Sequence, residues 1–199
     1  VTIDGTDYAW GIPVKADSLL ADGTTVSDFL RIGNTTPDFN LGFTQTVRWK
    51  NLSVYTLFDA QIGGDVYNAT KQWSYRDQRH GDNDQFGKSD ATKKPTDYQR
   101  VLYNTNATSS HFVEDATFVK FRELSVRYSF GQRSLQNLFG GFMNRITLAV
   151  VGRNLFTWTD YSGFDPEVGR TGNNAAIERV DEFNYPNYRT FTGSIEIEF

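Results

Sequence analysis

The sequence predicts an all-β protein, a fragment of an antiparallel up-and-down transmembrane β-barrel with about five strands and long extracellular loops. Two observations predict this fold class. Five segments alternate apolar and polar residues with a period of two, as strands with one apolar face do. The connections between them are alternately long and short, like the extracellular loops and periplasmic turns of outer-membrane barrels.

Composition excludes several classes of protein. The chain of 199 residues is 15% aromatic and 38% hydrophobic, which is too apolar for a disordered chain. Its net charge of -4 argues against a nucleic-acid partner, whose phosphates attract basic surfaces. The absence of cysteine excludes disulfides and thiolate metal sites, and His80 and His111 do not have metal-ligand spacing. We therefore expect no cofactor.

The first two predicted strands form a hairpin. Apolar residues occupy mostly the odd positions from Phe39 to Trp49, and the alternation resumes from Leu52 to Ile62. Only Lys50 and Asn51 separate the two segments. A membrane-spanning strand needs about 9–11 residues, so this hairpin is long enough to cross a bilayer.

The third predicted strand, from about Thr117 to Phe130, changes phase. Val119 and Phe121 share one face, but the next apolar residues occupy even positions: Leu124, Val126, Tyr128 and Phe130. In a regular strand, one of these two sets would face the wrong way. A β-bulge at Arg122-Glu123 would supply one extra residue and restore the facing. The sequence therefore predicts a bulge there.

The last two strands are predicted at about Arg145–Leu155 and at residues 190–199, with the last strand antiparallel to the one before it. Polar loops are expected at residues 65–114 and 157–187, with short helices within Asp65–Tyr75 and Ser134–Phe139. Bacterial outer-membrane barrels use an even number of strands from about eight upward. Five strands therefore predict a fragment of a larger barrel.

Four segments resemble the SusC/RagA-type TonB-dependent outer-membrane transporters. They are Ile32–Phe39 with the following Gly42-Phe43, Gly63–Asn68, Phe112–Val126 and Gly152–Glu167. Their order and spacing agree with the family, and the fourth segment is the longest and most specific match. The resemblance covers roughly residues 32–199 and implies the C-terminal part of the barrel, with residues 1–37 as an extracellular loop and 38–199 as strands and loops.

The resemblance implies transport, not catalysis. Such a protein imports oligosaccharides or peptides across the outer membrane of a Gram-negative bacterium, with a SusD-like lipoprotein as its partner. Its plug and its contact with TonB belong to a region N-terminal to the segments found here. Outer-membrane lipid would surround the apolar face, while Asp59, Gln61, Arg153 and Glu196 would line the interior.

Several side chains are candidates for specific roles. Tyr67, Trp73 and Tyr75 lie in the long polar loop, where they either contact the ligand or partner lipoprotein or pack the loop together. Phe199, at the end of an alternating strand, resembles an assembly signal of outer-membrane barrels. Strand-end aromatic residues are expected at the membrane interface rather than in sugar binding: Trp49, Phe130, Trp158 and Tyr161.

Two further patterns allow either a functional or a purely structural interpretation. Asp82, Asp84 and Asp90 suggest calcium, but the segment lacks the Gly placement and terminal Glu of an EF-hand, so a solvated loop is favoured. Asp165 and Glu167 could form a catalytic pair, although close neighbours around a proline rarely converge on one bond.

Two other architectures fit the alternation. A soluble carbohydrate-binding β-sandwich would bury its apolar faces between two sheets. A small complete barrel would need extra strands within residues 1–31 and 65–114. The transmembrane hypothesis instead predicts one outward, accessible set of side chains: Phe43, Val47, Val54, Phe58, Val126 and Ile197.

Overall fold

The computed structural model describes residues 31–95, 98–103, 105–140, 142–169 and 179–199, and short pieces of the first thirty residues (2–3, 6–7, 17–19, 21–23 and 25–27). The chain divides into two compact units. The sheet unit comprises Thr36–Gly64, Asp115–Glu167 and Tyr185–Phe199. The loop unit comprises Val1–Thr35, Asp65–Glu114 and Val168–Asn184.

The described strands and α-helices follow in chain order. The strands are β1 (Thr2–Ile3), β2 (Thr6–Asp7), β3 (Asp17–Leu19), β4 (Thr25–Ser27), β5 (Phe39–Trp49), β6 (Leu52–Ile62), β7 (Asp65–Asn68), β8 (Val113–Asp115), β9 (Phe118–Gly131), β10 (Arg145–Thr159), β11 (Val180–Asp181) and β12 (Thr190–Glu198). The α-helices are α1 (Ala69–Arg76), α2 (Tyr98–Leu102) and α3 (Gln132–Phe139). None of the described helices is long and apolar enough to span a membrane.

The sheet unit is built on one antiparallel sheet of five strands in the order β12-β10-β9-β6-β5. The limits of β5 and β6 are those that the alternation predicts. β10 continues past Leu155 to Thr159, and α3 begins before the predicted helical turn. The pairing of β12 with β10 confirms the expected antiparallel arrangement. The sheet has two free edges among the described residues, so it is not a closed barrel by itself.

One face of this sheet is apolar across all five strands. Val54 pairs with Val47 and Val126, and Val126 pairs with Val150. Phe43 and Val47 are 58% and 51% exposed. The remaining members of the predicted outward set share this face, with Val126 and Ile197 exposed and Val54 and Phe58 half-buried. No second sheet in the described residues seals the face, and this exposure does not favour the sandwich alternative.

The predicted bulge in β9 is confirmed. Glu123 pairs with Leu57 of β6, while Phe121 pairs with the next residue, Phe58. Arg122 is therefore the extra residue. The ladder between β9 and β10 is also irregular, because Arg153 pairs with Glu123 but Phe156 pairs with Phe121. That second insertion was not predicted from the sequence.

Two tight turns fix the ends of β6. At its start, Lys50 adopts a left-handed backbone with φ of 51°, which closes the two-residue connection from β5. At its end, Gly63 has φ of 78° and lies so close to Asp38 that a β-carbon would collide with that carboxyl group. The Gly63 amide donates to Thr117 Oγ1 at 2.9 Å, which ties this turn to the start of β9.

The loop unit has its own small core. β7 lies between β11, to which it is parallel, and β8, and Val66, Tyr75 and Phe112 are buried. α1 begins at Ala69 because the Asn68 side chain accepts from the Lys71 amide at 2.8 Å. The short helix predicted within Asp65–Tyr75 is thus observed at Ala69–Arg76, directly after β7. The strands of residues 65–114 form this separate sheet, so they do not extend the five-stranded sheet as the small-barrel alternative required.

Candidate functional site

A network of ion pairs lies on the polar face of the sheet, near the strand ends from which the long connections leave. Lys120 of β9 donates to Asp165 Oδ1 at 2.6 Å and to Glu167 Oε2 at 2.7 Å. The Lys120 and Asp165 side chains are only 3% and 7% exposed. A buried charge requires a partner, because an unpaired one is costly. These contacts hold residues 161–167, which we call the strap, against β9.

Arg122 extends the network to β6. Its Nη2 donates to Asp59 Oδ2 and to Glu167 Oε1, both at 2.7 Å, and its Nη1 donates to Glu167 Oε2 at 2.8 Å. The guanidinium therefore binds both oxygens of Glu167, a geometry that suits arginine and fixes direction as well as distance. Arg122 is the extra residue of the bulge, so the bulge places a third charged residue, Glu123, on the same face as Lys120 and Arg122.

The strap has further anchors within the sheet unit. The Asn187 amide donates to Asp165 Oδ2 and its side chain donates to Glu167 Oε2, each at 3.3 Å. The Tyr161 amide donates to Thr159 Oγ1 at 3.1 Å. Tyr161 and Pro166 are buried, whereas Phe164 is 79% exposed. The strap is therefore held at both ends and projects one aromatic ring.

The electrostatics of the strap favour a structural role for its carboxylates. Burial raises the pKa of Glu167, but hydrogen bonds from Arg122 and Lys120 outweigh it and lower the pKa to about 2. A carboxylate this acidic stays ionised near neutral pH and is a poor general acid or base. Asp165 is likewise occupied by Lys120. The arrangement does not favour the catalytic-pair interpretation.

The other predicted interior residues also lie on the polar face. Asp59 pairs with Lys120 in the ladder, Gln61 with Phe118, and Glu196 with Thr147. Arg153 pairs with Glu123, and its Nε donates to the Glu123 carboxylate at 2.9 Å. These four residues therefore share the polar face, while their position in the interior of a barrel stays a prediction.

Tyr67 and Tyr75 pack the loop unit. Tyr75 is 2% exposed, its hydroxyl donates to Asp82, and its ring contacts His80, Tyr103, His111 and Phe112. Burial raises the pKa of Tyr75, and the Asp82 carboxylate raises it further. The Tyr67 hydroxyl donates to Gln72 Oε1 at 2.9 Å and accepts from the Ser109 amide at 3.3 Å.

Trp73 is more accessible, at 38% exposed. The Arg76 guanidinium lies 3.5 Å from its ring centroid, and the Phe183 ring meets it edge-on at 6.1 Å. Phe183 has a left-handed φ of 57°, and its amide donates to Thr70 Oγ1 at 2.8 Å. Sequence patterns did not single out Phe183. Ligand contact by Tyr67, Trp73 and Tyr75 stays a prediction.

The acidic residues of the long loop have protein partners. Asp82 accepts from Tyr75, Asp84 accepts from the Phe86 amide at 2.9 Å, and Asp90 accepts from Lys93 at 2.9 Å. Across the part of the chain that the structure describes, no group of three or more His, Cys, Asp or Glu could hold a metal ion. These contacts favour the solvated-loop interpretation over a calcium site.

The strand-end aromatic residues divide into two groups. By their ladder partners, Trp49, Phe130 and Trp158 lie on the apolar face, as an interface position requires. Tyr161 instead is buried in the strap, where its ring leaves no room for a β-carbon at Gly163. Its expected position at the interface is therefore wrong, because the strap turns it inward.

Phe199 follows the last residue of β12. The Arg145 guanidinium lies 3.1 Å from the Glu198 carboxylate, and the Phe199 ring meets Phe142 edge-on with centroids 5.3 Å apart. Both rings are largely exposed. The role of Phe199 in assembly stays a prediction.

Sequence reasoning missed the ionic network itself. Asp165 and Glu167 are separated from Lys120 by more than forty residues, so no local period connects them. The available signal was the coincidence of Lys120 and Arg122 beside a phase change with two distant carboxylates around a proline.

Curated proteins of Formosa agariphila resemble this chain. TonB-dependent receptor P3 is 32% identical over 172 residues, covering 84% of the chain, and TonB-dependent receptor P39 is 29% identical over 178 residues, also covering 84%. By sequence, the chain is similar to TonB-dependent receptors over most of its length. TonB-dependent receptor P26 is 24% identical over 185 residues. The chain spans 17% of the length of the first two relatives and 18% of the third.

Solved structures show the same fold. The RagAB peptide importer in its "closed-closed" state has a TM-score of 0.62 and 21% identity, covering 100% of this chain and 22% of that one. Its "open-open" state has a TM-score of 0.59 and 20% identity, covering 100% of this chain and 21% of that one. No protein-family model matches the chain. The resemblance to TonB-dependent receptors that four sequence segments indicated is confirmed by the curated relatives, and the RagAB structures have the same fold.

Proposed function

We propose that the chain forms part of the barrel wall of a TonB-dependent transporter in the outer membrane of a Gram-negative bacterium. The observation that carries the proposal is the apolar face of the five-stranded sheet. Its paired residues in the described sheet include no Lys, Arg, Asp or Glu, and many are exposed. An apolar surface that spans five strands is unfavourable in contact with water but favourable in contact with lipid.

The connections support an orientation across the membrane. The long connections from β6 to β9 and from β10 to β12 leave one end of the sheet, and the short β5–β6 turn lies at the other. Extracellular loops are long in such barrels and periplasmic turns are short. We therefore assign residues 1–37 to an extracellular loop and residues 38–199 to strands and loops of the barrel.

The polar face would line the path of the imported solute. The solute class is an oligosaccharide or a peptide, and a SusD-like lipoprotein would act as partner. The fold shared with the RagAB peptide importer supports this proposal. Contact with TonB would be made by parts of the protein outside this chain. The proposal includes no catalytic residue.

Side-chain roles follow from accessibility. Of the three predicted ligand contacts, Trp73 offers the most open ring, while Tyr75 would contact a solute only if the loop unit opened. Phe199 would serve as an assembly signal, because an alternating strand that carries a ring can add to a sheet edge through its main chain.

Cysteine labelling of the full-length transporter tests the proposal. The chain contains no cysteine, so an introduced one reports on a single position of this region. Val126 and Ser125 are neighbours on opposite faces of β9. In intact outer membranes, we expect the Val126→Cys thiol to resist a membrane-impermeant maleimide and the Ser125→Cys thiol to react.

Detergent provides the control, because it should make both thiols reactive. A bimane label at Val126→Cys should also be quenched by brominated lipid, whereas the label at Ser125→Cys should not. Equal reactivity of the two thiols in intact membranes, or recovery of the wild-type protein in the soluble fraction, would contradict the proposal.

A further inference from the structure

We infer that the strap is a rigid mount that presents the Phe164 ring to an apolar side chain of a transported peptide. The inference rests on the proposed function, since it takes the polar face of the sheet as the lining of the solute path. It adds a specificity-determining residue, Phe164, and two positioning residues, Lys120 and Arg122. These three residues are distinct from the predicted ligand contacts of the long loop, which are Tyr67, Trp73 and Tyr75.

The backbone on both sides of Phe164 is fixed. On the N-terminal side, the buried Tyr161 ring packs over Gly163, where a β-carbon has no room. On the C-terminal side, Asp165 is bound by Lys120 and by the Asn187 amide, and Pro166 is buried. A side chain between two such anchors keeps its position without the loss of freedom that a mobile loop suffers on binding.

The Phe164 ring is uncovered although nearby residues of the strap are buried. Tyr161, Asp165 and Pro166 are buried, yet the Phe164 ring between them is 79% exposed. Rigid aromatic rings with few rotatable bonds are the side chains that contribute most at binding surfaces. The strap therefore combines two properties of a contact residue, a preorganised backbone and an uncovered ring.

The chemistry of the strap favours an apolar group on the solute over a sugar. A phenyl ring has no hydrogen-bonding atom. The two charged residues of the strap, Asp165 and Glu167, are both engaged by Lys120, and Glu167 also by Arg122. Recognition of sugar hydroxyls needs polar groups placed beside the ring. With both carboxylates occupied, the strap is matched to a hydrophobic side chain.

Lys120 and Arg122 would act on the solute only through the strap. Lys120 is buried beneath it, and Arg122 joins Glu167 to Asp59 on β6. If the network is weakened, Phe164 should remain present but lose its fixed position. Removing the Phe164 ring and weakening the ionic network that positions it should therefore reduce peptide binding to a similar extent. The two reductions should not add.

Peptide capture by the purified full-length transporter tests this inference. The probe is a tryptic digest of casein, and retained peptides are identified and quantified by mass spectrometry. We expect the wild-type protein to retain peptides enriched in Phe, Leu and Ile. The Phe164→Ala variant should retain roughly tenfold less of them, the loss expected for an aromatic contact at a binding hot spot. Phe86→Ala is the matched control, since Phe86 is 94% exposed but lies outside the strap.

The mount is tested with a double variant that leaves no orphaned charge. Lys120→Met combined with Asp165→Asn removes the ion pair, while the new carboxamide keeps an oxygen for the Glu167 amide, which donates to Asp165 at 3.0 Å. This variant should lose about as much peptide as Phe164→Ala. Adding Phe164→Ala to it should cause no further loss, a result that general destabilisation would not produce.

Several outcomes would overturn the inference. They are unchanged capture by Phe164→Ala, an equal loss in Phe86→Ala, additive losses in the combined variant, or a wild-type protein that retains maltooligosaccharides and no casein peptides. Heat-modifiable migration of each variant from outer-membrane fractions is measured separately. If the wild-type protein is missing from those fractions, the proposed function fails, whereas a properly inserted Phe164→Ala protein with normal capture refutes only the role of the strap.

Discussion

At the scale of single residues, burial makes Lys120 far more consequential than an ordinary surface lysine. We predict that Lys120→Met destabilises the folded protein by about 3–5 kcal/mol, because Asp165 is left buried without its ammonium partner. Arg153→Met breaks the ion pair between Arg153 and Glu123. Because the Arg153 side chain is 57% exposed, this substitution should destabilise the folded protein by at most about 1 kcal/mol. Urea unfolding of the purified, folded proteins measures both. Similar shifts would mean that the Lys120 pair is solvated in the whole protein.

The ionisation of Glu167 sets the lowest pH at which this residue stabilises the strap. Its pKa is lowered from 4.5 to about 2, so its contribution to stability is complete above about pH 4.5 and is lost as the pH falls toward 2. We predict that the thermal unfolding midpoint of the purified transporter falls more steeply with acidification in the wild type than in Glu167→Gln. The difference should be confined to the window below about pH 4.5. Parallel curves would show that Glu167 gains nothing from its cationic partners.

At the scale of elements, the parity of an insertion decides what sequence periodicity can predict. Two successive rungs of the ladder lie on opposite faces of the sheet. Between them the chain advances by one residue in β6 (Leu57 to Phe58), by two in β9 (Glu123 to Phe121) and by three in β10 (Arg153 to Phe156). An even number of steps breaks the two-residue alternation, which is why the β9 bulge was predictable. An odd number preserves it, which is why the β10 irregularity was not.

The irregularity in β10 depends on Asn154. Its φ of 52° is left-handed, a conformation that Asn tolerates and β-branched residues do not. Its side chain also donates to the Tyr188 carbonyl at 3.0 Å. We predict that Asn154→Val destabilises the fold by about 1–3 kcal/mol and that Asn154→Gly, which keeps the backbone but loses the hydrogen bond, costs less. Chemical unfolding compares them, and an equal cost would assign the effect to the hydrogen bond instead.

The candidate site was less predictable than the strands. Strand limits follow from local alternation, but the strap depends on pairing between residues more than forty positions apart. Likewise Tyr75 and Trp73 lie in the same polar segment, and only the packing of the loop unit makes one buried and the other accessible. Burial of polar-loop aromatic residues is a tertiary property, so the sequence alone left both interpretations open.

At the scale of the whole molecule, the two free edges of the sheet matter as much as its faces. β12 and β5 each have an unpaired side among the described residues, and unpaired edges are templates for aggregation. Closure into a barrel removes edges by pairing every strand. The chain spans 17% of the length of TonB-dependent receptor P3, so the rest of such a protein would supply the missing neighbours.

A last prediction sets the two faces of one strand against each other in the full-length protein. Phe43 and Thr44 lie at the centre of β5, both exposed and on opposite faces. Arginine on the lipid side near the midplane of a barrel costs about 2–4 kcal/mol, whereas arginine on the interior side stays among polar groups. We therefore expect Phe43→Arg to reduce the heat-modifiable, folded protein in outer-membrane fractions and Thr44→Arg to leave it near the wild-type level. Total synthesis, measured by immunoblot of whole cells, should be equal. If Thr44→Arg were the more harmful substitution, the apolar face would be turned toward the interior and the orientation of the wall would be the reverse of the one proposed.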